Sequence, residues 1–196
     1  VIWLLSDRKK SKFTRYWVFF LLYSFLPVVS PKKRRMHSRQ KRMNNNEMEH
    51  DLAKAFIDLS AIEKNVSGLK RISKPSCLFM AVVKAGGYGH GAVQIAQKSL
   101  NSGADWLGVS RMEEAVPLRD AGITSPILVF GYVDPSLAPL ALDLDLTLTV
   151  YNFEMAKALS ECVPDTKKRL RIHAKVDTGM GRVGMLAWDN PAIETD

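Results

Sequence analysis

Cysteine is nearly missing from this chain: 196 residues contain two, Cys77 and Cys162. Neither lies in a CxxC or Cys–His arrangement, which excludes a disulfide framework and a thiolate zinc centre, and no metal site is expected. Both fall in predicted elements and fit a reducing compartment, as small core hydrophobes. Long apolar runs are missing too. The stretch from Trp17 to Val29 is shorter than the roughly 20 residues a membrane-spanning helix needs. No small-x-small cleavage site follows it, internal repeats are absent, and no G-x-G-x-x-G fingerprint follows the first predicted strand. An excess of charge is missing from the globular part as well. Residues 1–50 hold 12 Lys+Arg against 3 Asp+Glu, which leaves 16 against 17 in the other 146. The net +8 therefore belongs to a leader, and nucleic acid is not an expected partner.

The leader spans residues 1–51. Its apolar run is flanked by Arg15 and by Lys32-Lys33-Arg34-Arg35, and Met36 to Asp51 is polar and disorder-like in composition. Three readings stay open. It is upstream sequence that does not belong to the protein, with Met36, Met43 or Met48 as the start; it is a membrane anchor; or it is an uncleaved export signal.

From Lys54 onward short β-rich runs alternate with helical periods. Strands are predicted at Ala55–Leu59, Leu78–Val83, Trp106–Val109, Ile127–Phe130, Leu146–Val150 and Leu170–Val176. A helix after Ser60 is predicted from a Ser60/Glu63 capping box and from Ile62, Val66, Leu69 and Ile72 at helical spacing. Val93, Ala96 and Leu100 mark a second helix. A Ser110/Glu113 box and Gly122 bracket a third, which Pro117 should kink or shorten. A short helix is expected near Pro135–Leu142, and Asn152 is expected to cap one reaching about Cys162. Such βα alternation implies parallel strands with right-handed crossovers, in an open doubly wound sheet or a closed barrel. An eight-stranded barrel takes about 250 residues, so the chain is expected to supply part of one and to be truncated.

Two clusters can carry chemistry. In Val83-Lys84-Ala85-Gly86-Gly87-Tyr88-Gly89-His90-Gly91 a lysine ends an apolar run and meets a glycine-rich turn. A lysine at a strand's C-terminal end suits Schiff-base formation with an aldehyde cofactor, or is simply solvated there. Tyr88 could reach a phosphate or a backbone group, and His90 reads as a turn or capping histidine. In His173-Ala174-Lys175-Val176-Asp177-Thr178-Gly179-Met180-Gly181-Arg182, strand alternation points His173, Lys175 and Asp177 to one side. An inward lysine must be neutralised, paired or modified, and Arg182 could swing back to serve an anionic oxygen. A basic surface strand with a flexible loop is the plainer alternative.

Together, AVVKAGGYGHG and HAKVDTGMGRVG resemble the two hallmarks of the alanine racemase family, in order, over roughly Lys54 to Leu186. The resemblance implies an α/β fold in which residues 52–196 form the N-terminal part of a pyridoxal phosphate (PLP) binding (β/α)8 TIM-type barrel. About five of the eight strands are present, and the family's C-terminal β domain is absent. It implies PLP as cofactor, with Lys84 its covalent attachment point and one of two catalytic bases. Tyr88 would hydrogen-bond the cofactor phosphate, and Arg182 would contact the cofactor's phenolic oxygen and the substrate carboxylate. Lys175 matches a lysine often carbamylated in the family. The activity implied is cytoplasmic isomerisation of L-alanine to D-alanine for peptidoglycan by a homodimer, with the second base a tyrosine of the partner's C-terminal domain. The chain alone is therefore expected to be inactive.

Where the family usually has Asn or Asp, then Ala, this chain has Gly86-Gly87, expected to loosen the turn that positions Tyr88. Two other functions stay open. One is a non-catalytic PLP-binding protein of cofactor homeostasis; the other is a membrane-tethered racemase of serine or of many amino acids, although a membrane partner is not expected.

Overall fold

A computed structural model describes residues 2–5, 55–165 and 167–186 of the chain. The Trp17–Val29 run and most of the leader lie outside the described residues. The exception is a strand, β1 (Ile2–Leu5), paired antiparallel with β2 (Leu78–Val82). From β2 the sheet continues through β3 (Trp106–Val109), β4 (Ile127–Val129), β5 (Leu146–Val150) and β6 (Arg171–Ala174), all parallel.

This order decides between the two architectures left open by the βα pattern. A doubly wound sheet reverses direction at a switch point, whereas here each strand lies beside the next in sequence. Right-handed crossovers in one direction stack every helix on one face, as in a barrel. The buried core agrees. Phe79, Ala81, Val83, Leu107, Val109, Ile127, Val129, Leu146, Leu148 and Val150 form one cluster with helix residues Val66, Ala96, Leu118, Ala141 and Leu159. Fully burying a Leu, Ile or Phe from such a strand contributes about 2 kcal/mol. The opposite, concave face carries Met80, Leu128, Thr147, Thr149 and His173, by alternation and register.

The helices follow local chemistry with some departures from expectation. No strand forms over Ala55–Leu59. Residues 55–58 have no regular structure, and α1 (Leu59–Ile72) starts where Asp58 accepts the N–H groups of Ser60 (2.8 Å) and Ala61 (3.4 Å). Asp58 is thus the N-cap, in place of the expected Ser60/Glu63 box. The buried stripe of α1 is Leu59, Ile62, Val66 and Leu69, while Ile72 is 78% exposed. Across its last turn, Lys70 Nζ meets Asp105 Oδ2 at 2.5 Å, and the same oxygen accepts the Phe79 N–H at 2.7 Å, tying α1 to the start of β2.

A single turn, α2 (Lys84–Tyr88), precedes α3 (Ala92–Asn101). Pro117 acts as expected: a 3-10 turn (Met112–Glu114) and a five-residue α4 (Val116–Asp120) replace one continuous helix, with Gly122 left-handed just beyond. The expected Pro135–Leu142 helix is a 3-10 turn (Pro135–Leu137) leading into α5 (Ala138–Asp143). Asn152 caps α6 (Phe153–Cys162) through the Met155 N–H at 2.8 Å. The two cysteines are free thiols; Cys162 is exposed and Cys77 half-buried, so neither is the core residue expected.

Beneath the sheet, at the N-terminal ends of β4 and β5, the Arg119 guanidinium gathers four backbone carbonyls. Nε donates to Leu144 (2.8 Å), one terminal nitrogen to Ile123 (2.6 Å) and Ser125 (2.9 Å), and the other to Asp145 (3.1 Å). Burial pulls its pKa down, offset in part by Asp145. That end of a barrel is where stability, not chemistry, is expected to reside.

Candidate active site at the carboxyl ends of the strands

Lys84 follows the last residue pair of β2, where the Val83 N–H still reaches Gly108 O at 2.9 Å. The backbone beyond it then reverses its hand. Ala85 (φ 51°), Gly86 (64°), Gly87 (67°), Tyr88 (58°) and Gly89 (81°) are all left-handed. The turn is closed by Gly87 N to Val83 O (2.9 Å), Gly89 N to Ala85 O (3.0 Å) and Gly91 N to Gly86 O (2.8 Å). A left-handed turn costs an L-residue with a Cβ about 1–2 kcal/mol, which falls here on Ala85 and Tyr88. Glycine carries no such cost. Gly86-Gly87 therefore suits the turn, correcting the expectation that the pair loosens it. A Cβ on Gly87 would also sit 3.2 Å from the backbone of Ala92.

Around Gly86 the space is open, so a Gly86→Ala substitution would meet only the backbone cost. It should lower stability by about 1 kcal/mol in urea unfolding. A neutral result would mean that the turn is not left-handed in solution. Tyr88 is 40% exposed at the turn's end. His90 Nδ1 lies 3.1 Å from Gly87 O, the turn histidine expected.

Sequence reasoning missed what fastens this turn. The expected Ser110/Glu113 box does not form; the adjacent Glu114 turns inward instead. Its Oε2 accepts the N–H groups of Ser110 (2.6 Å) and Arg111 (3.2 Å), and its Oε1 accepts that of Ala85 (2.9 Å). Burial raises the pKa of this carboxyl, but the three backbone donors and Arg111 outweigh it and the net direction is down.

The second cluster lies on the far strand. The His173 ring lies against Trp106, with centroids 5.4 Å apart. The expected Leu170–Val176 strand breaks in two at Lys175, whose N–H continues the main ladder to Val150 O (2.8 Å) while its carbonyl accepts from Met185 (2.8 Å). Beyond it, β7 (Val176–Asp177) pairs with β8 (Met185–Leu186) in a small second sheet. Asp177, carried by β7 into the second sheet, does not extend the β6 face as a third group; its charge still reaches Lys175, but its carboxylate holds the glycine loop together. Oδ1 accepts the N–H groups of Gly179 (3.0 Å) and Gly181 (3.1 Å), and Oδ2 that of Arg182 (2.8 Å).

Those backbone donors, Gly179 first, hold the Asp177 carboxyl below its ordinary value. The folded pKa is depressed, so the contribution to loop order is complete above about pH 4 and is lost as pH falls through the folded value. Limited proteolysis should therefore cut the 178–184 loop faster at pH 3 than at pH 5 with an acid-tolerant protease. Equal loop cleavage, after correction for protease activity, would dismiss this anchor.

Lys175 is drawn below the ordinary lysine range by partial burial, and next by the Arg182 charge, with Asp177 opposing. The structure thus brings Lys175 and Arg182 within electrostatic reach of one another. Lys84 and Tyr88 sit at the same, carboxyl end of the sheet. Among the described residues no hydrogen bond or ion pair joins Lys84 to Lys175 or Arg182.

Comparison with known proteins agrees with this architecture. Residues 57–193 match the family model described as alanine racemase, N-terminal domain. An alanine racemase of Methanococcus maripaludis is 48% identical over 141 residues, covering 72% of this chain and 38% of the relative. One of Symbiobacterium thermophilum is 50% identical, over 67% of this chain and 34% of the relative. Among solved structures, an alanine racemase from E. faecalis superimposes with TM-score 0.63 at 41% identity, over 66% of this chain and 35% of that one. A histidine racemase from Leuconostoc mesenteroides does so with TM-score 0.60 at 35% identity, over 65% and 34%. The chain spans little more than a third of the relatives it matches. With five parallel strands in barrel order and a family match over most of its globular part, the chain belongs to the alanine racemase family, as a portion of its N-terminal barrel domain.

Proposed function

We propose that this chain is the cofactor-binding portion of a PLP-dependent amino-acid racemase that interconverts L- and D-alanine, supplying D-alanine for peptidoglycan. The observation that carries the reading is Lys84 at the carboxyl end of β2, clamped into a left-handed turn. The residues present fit an anionic aldehyde cofactor: a primary amine at the end of β2, with the Arg182 cation near Lys175 at the same end of the sheet. PLP, when bound, supplies an electron sink for the charge left when the substrate Cα–H is broken.

The chain's own residues divide the remaining work. Lys84 Nζ would hold the cofactor covalently until the substrate's amine takes its place, and the amine so freed would remove the Cα proton from one face of the substrate or return it there. Tyr88 donates its hydroxyl to the cofactor phosphate. Arg182 meets the substrate carboxylate and the cofactor's phenolic oxygen, as a planar guanidinium is suited to do. Lys175, its pKa drawn down by partial burial and by the Arg182 charge, would more readily release a proton, and its unprotonated form would add to CO2 through the nitrogen, losing a second proton. The resulting carbamate anion replaces its repulsion with Arg182 by attraction. Inversion needs a second base on the opposite face, a tyrosine from a C-terminal β domain of the partner subunit in a cytoplasmic homodimer.

The similarity to a histidine racemase extends over 65% of this chain, so the test includes more than one substrate. The protein is incubated with PLP, reduced with borohydride and mapped by peptide mass, and then assayed with L-alanine, L-serine and L-histidine. Label on Lys84 with racemisation of alanine supports the proposal. Label on Lys84 with no racemisation of any substrate favours the non-catalytic cofactor-binding reading, and label elsewhere overturns both.

A further inference from the structure

We infer that Glu114 is a positioning residue for Lys84, acting through the Ala85 peptide. The inference rests on the reading of Lys84 given above and extends it to a residue that need not touch the cofactor. One carboxylate collects three N–H groups from two separate segments: Ser110 and Arg111 at the exit of β3, and Ala85 at the exit of β2. The Ala85 N–H belongs to the planar peptide unit that also contains the Lys84 carbonyl. Fixing that N–H at 2.9 Å from Glu114 Oε1 fixes the orientation of the unit, and with it the direction in which Lys84 leaves the sheet.

The anchor acts where the backbone is under strain. Ala85 is the first left-handed residue of the turn, at φ 51° and ψ 49°, and it carries a Cβ. Released from Glu114, its peptide would relax toward the right-handed region favoured by L-residues. A charged acceptor suits this task because its bonds to backbone N–H groups are shorter and stronger than neutral ones. An amide cannot replace it, since Gln presents one acceptor oxygen and turns an NH2 group toward the remaining N–H groups. The competing account is that Glu114 only caps the 3-10 turn it belongs to, through Ser110 and Arg111.

The test measures the rate at which PLP becomes borohydride-trapped on Lys84, alongside thermal unfolding, in wild type, E114Q, E114Q/A85G and the control E113Q. Positioning predicts that E114Q slows trapping by about tenfold or more, because misplacing a reacting group by an ångström is costly. The double variant should recover part of that rate, because glycine adopts the left-handed conformation without help. A cap alone predicts a lowered unfolding temperature with no rescue by A85G. E113Q should trap like wild type, Glu113 being exposed.

The inference is overturned if a folded E114Q traps at the wild-type rate. It is also overturned if E114Q/A85G traps no faster than E114Q or fails to fold. Should wild type itself not be labelled on Lys84, the reading under Proposed function fails, an outcome distinct from these.

Discussion

Replacing Arg119 by alanine is expected to lower stability by about 3 kcal/mol, because charge-assisted hydrogen bonds to four carbonyls vanish together. The guanidinium ties the α4–β4 connection to the α5–β5 connection, which places Ile127 and Leu146 side by side at the start of their strands. Water can reach part of the site and satisfy some of the freed carbonyls, which keeps the figure below a full sum over four bonds. Lysine should restore little. Its ammonium is a point donor and cannot span carbonyls on two loops as the planar fork does. Urea unfolding of the R119A and R119K variants checks this, and a loss under 1 kcal/mol in R119A would show that the four contacts are not held in solution.

The second large effect concerns chemistry. Lys84→Arg retains a long cationic side chain at the end of β2, yet a guanidinium neither forms the covalent cofactor bond nor gives up its proton near neutral pH. Racemisation by the assembled enzyme should fall by about 10³-fold or more, with borohydride labelling at residue 84 gone. Stability should change by no more than about 0.5 kcal/mol, since position 84 is outside the packed core. Residual activity above one tenth of wild type would remove Lys84 from the role proposed for it.

The sheet was legible in the sequence because its strands are short and rich in apolar and β-branched residues, continuous in Leu78–Val82 and Ile127–Val129 and alternating in Leu146–Val150. Trp106–Val109 has no polar side chain, whereas Leu146–Val150 alternates Leu and Val toward the helices with Thr147 and Thr149 on the concave face, and all five of its residues are buried. Boundaries were harder where two residues compete for one job. Asp58 and Ser60 are both good caps, and only the geometry assigns the N-cap to Asp58. Glu113 and Glu114 are neighbours of like chemistry, and which one turns inward depends on Ala85, 29 positions away, beyond any local pattern.

The left-handed turn was half visible. Gly86-Gly87 signals permissive backbone, but Ala85 and Tyr88 carry side chains that give no hint of positive φ. Asp177 was misjudged for a related reason. Alternation assumes that the strand continues, whereas the chain leaves the main sheet at Lys175 and the carboxylate is claimed by loop amides. The lysine and arginine clusters stood out because charged residues beside glycine at strand ends have few structural uses.

The sequential strand order has a kinetic corollary. Each parallel strand pairs with the one made just before it, so from β2 onward every ladder closes across a single βα unit. The longest closure, from β2 to β3, links Met80 to Trp106. Loop-closure entropy grows only as about (3/2)RT ln n, so these short spans keep the relative contact order low for a parallel sheet. A nascent chain leaving the ribosome can add strands one at a time, docking each helix as it emerges. The pairing of Ile2–Leu5 with Leu78–Val82 stands apart, as it joins residues more than seventy positions away. On this topology it should be the last contact of the sheet to form and the first to open under mild denaturant.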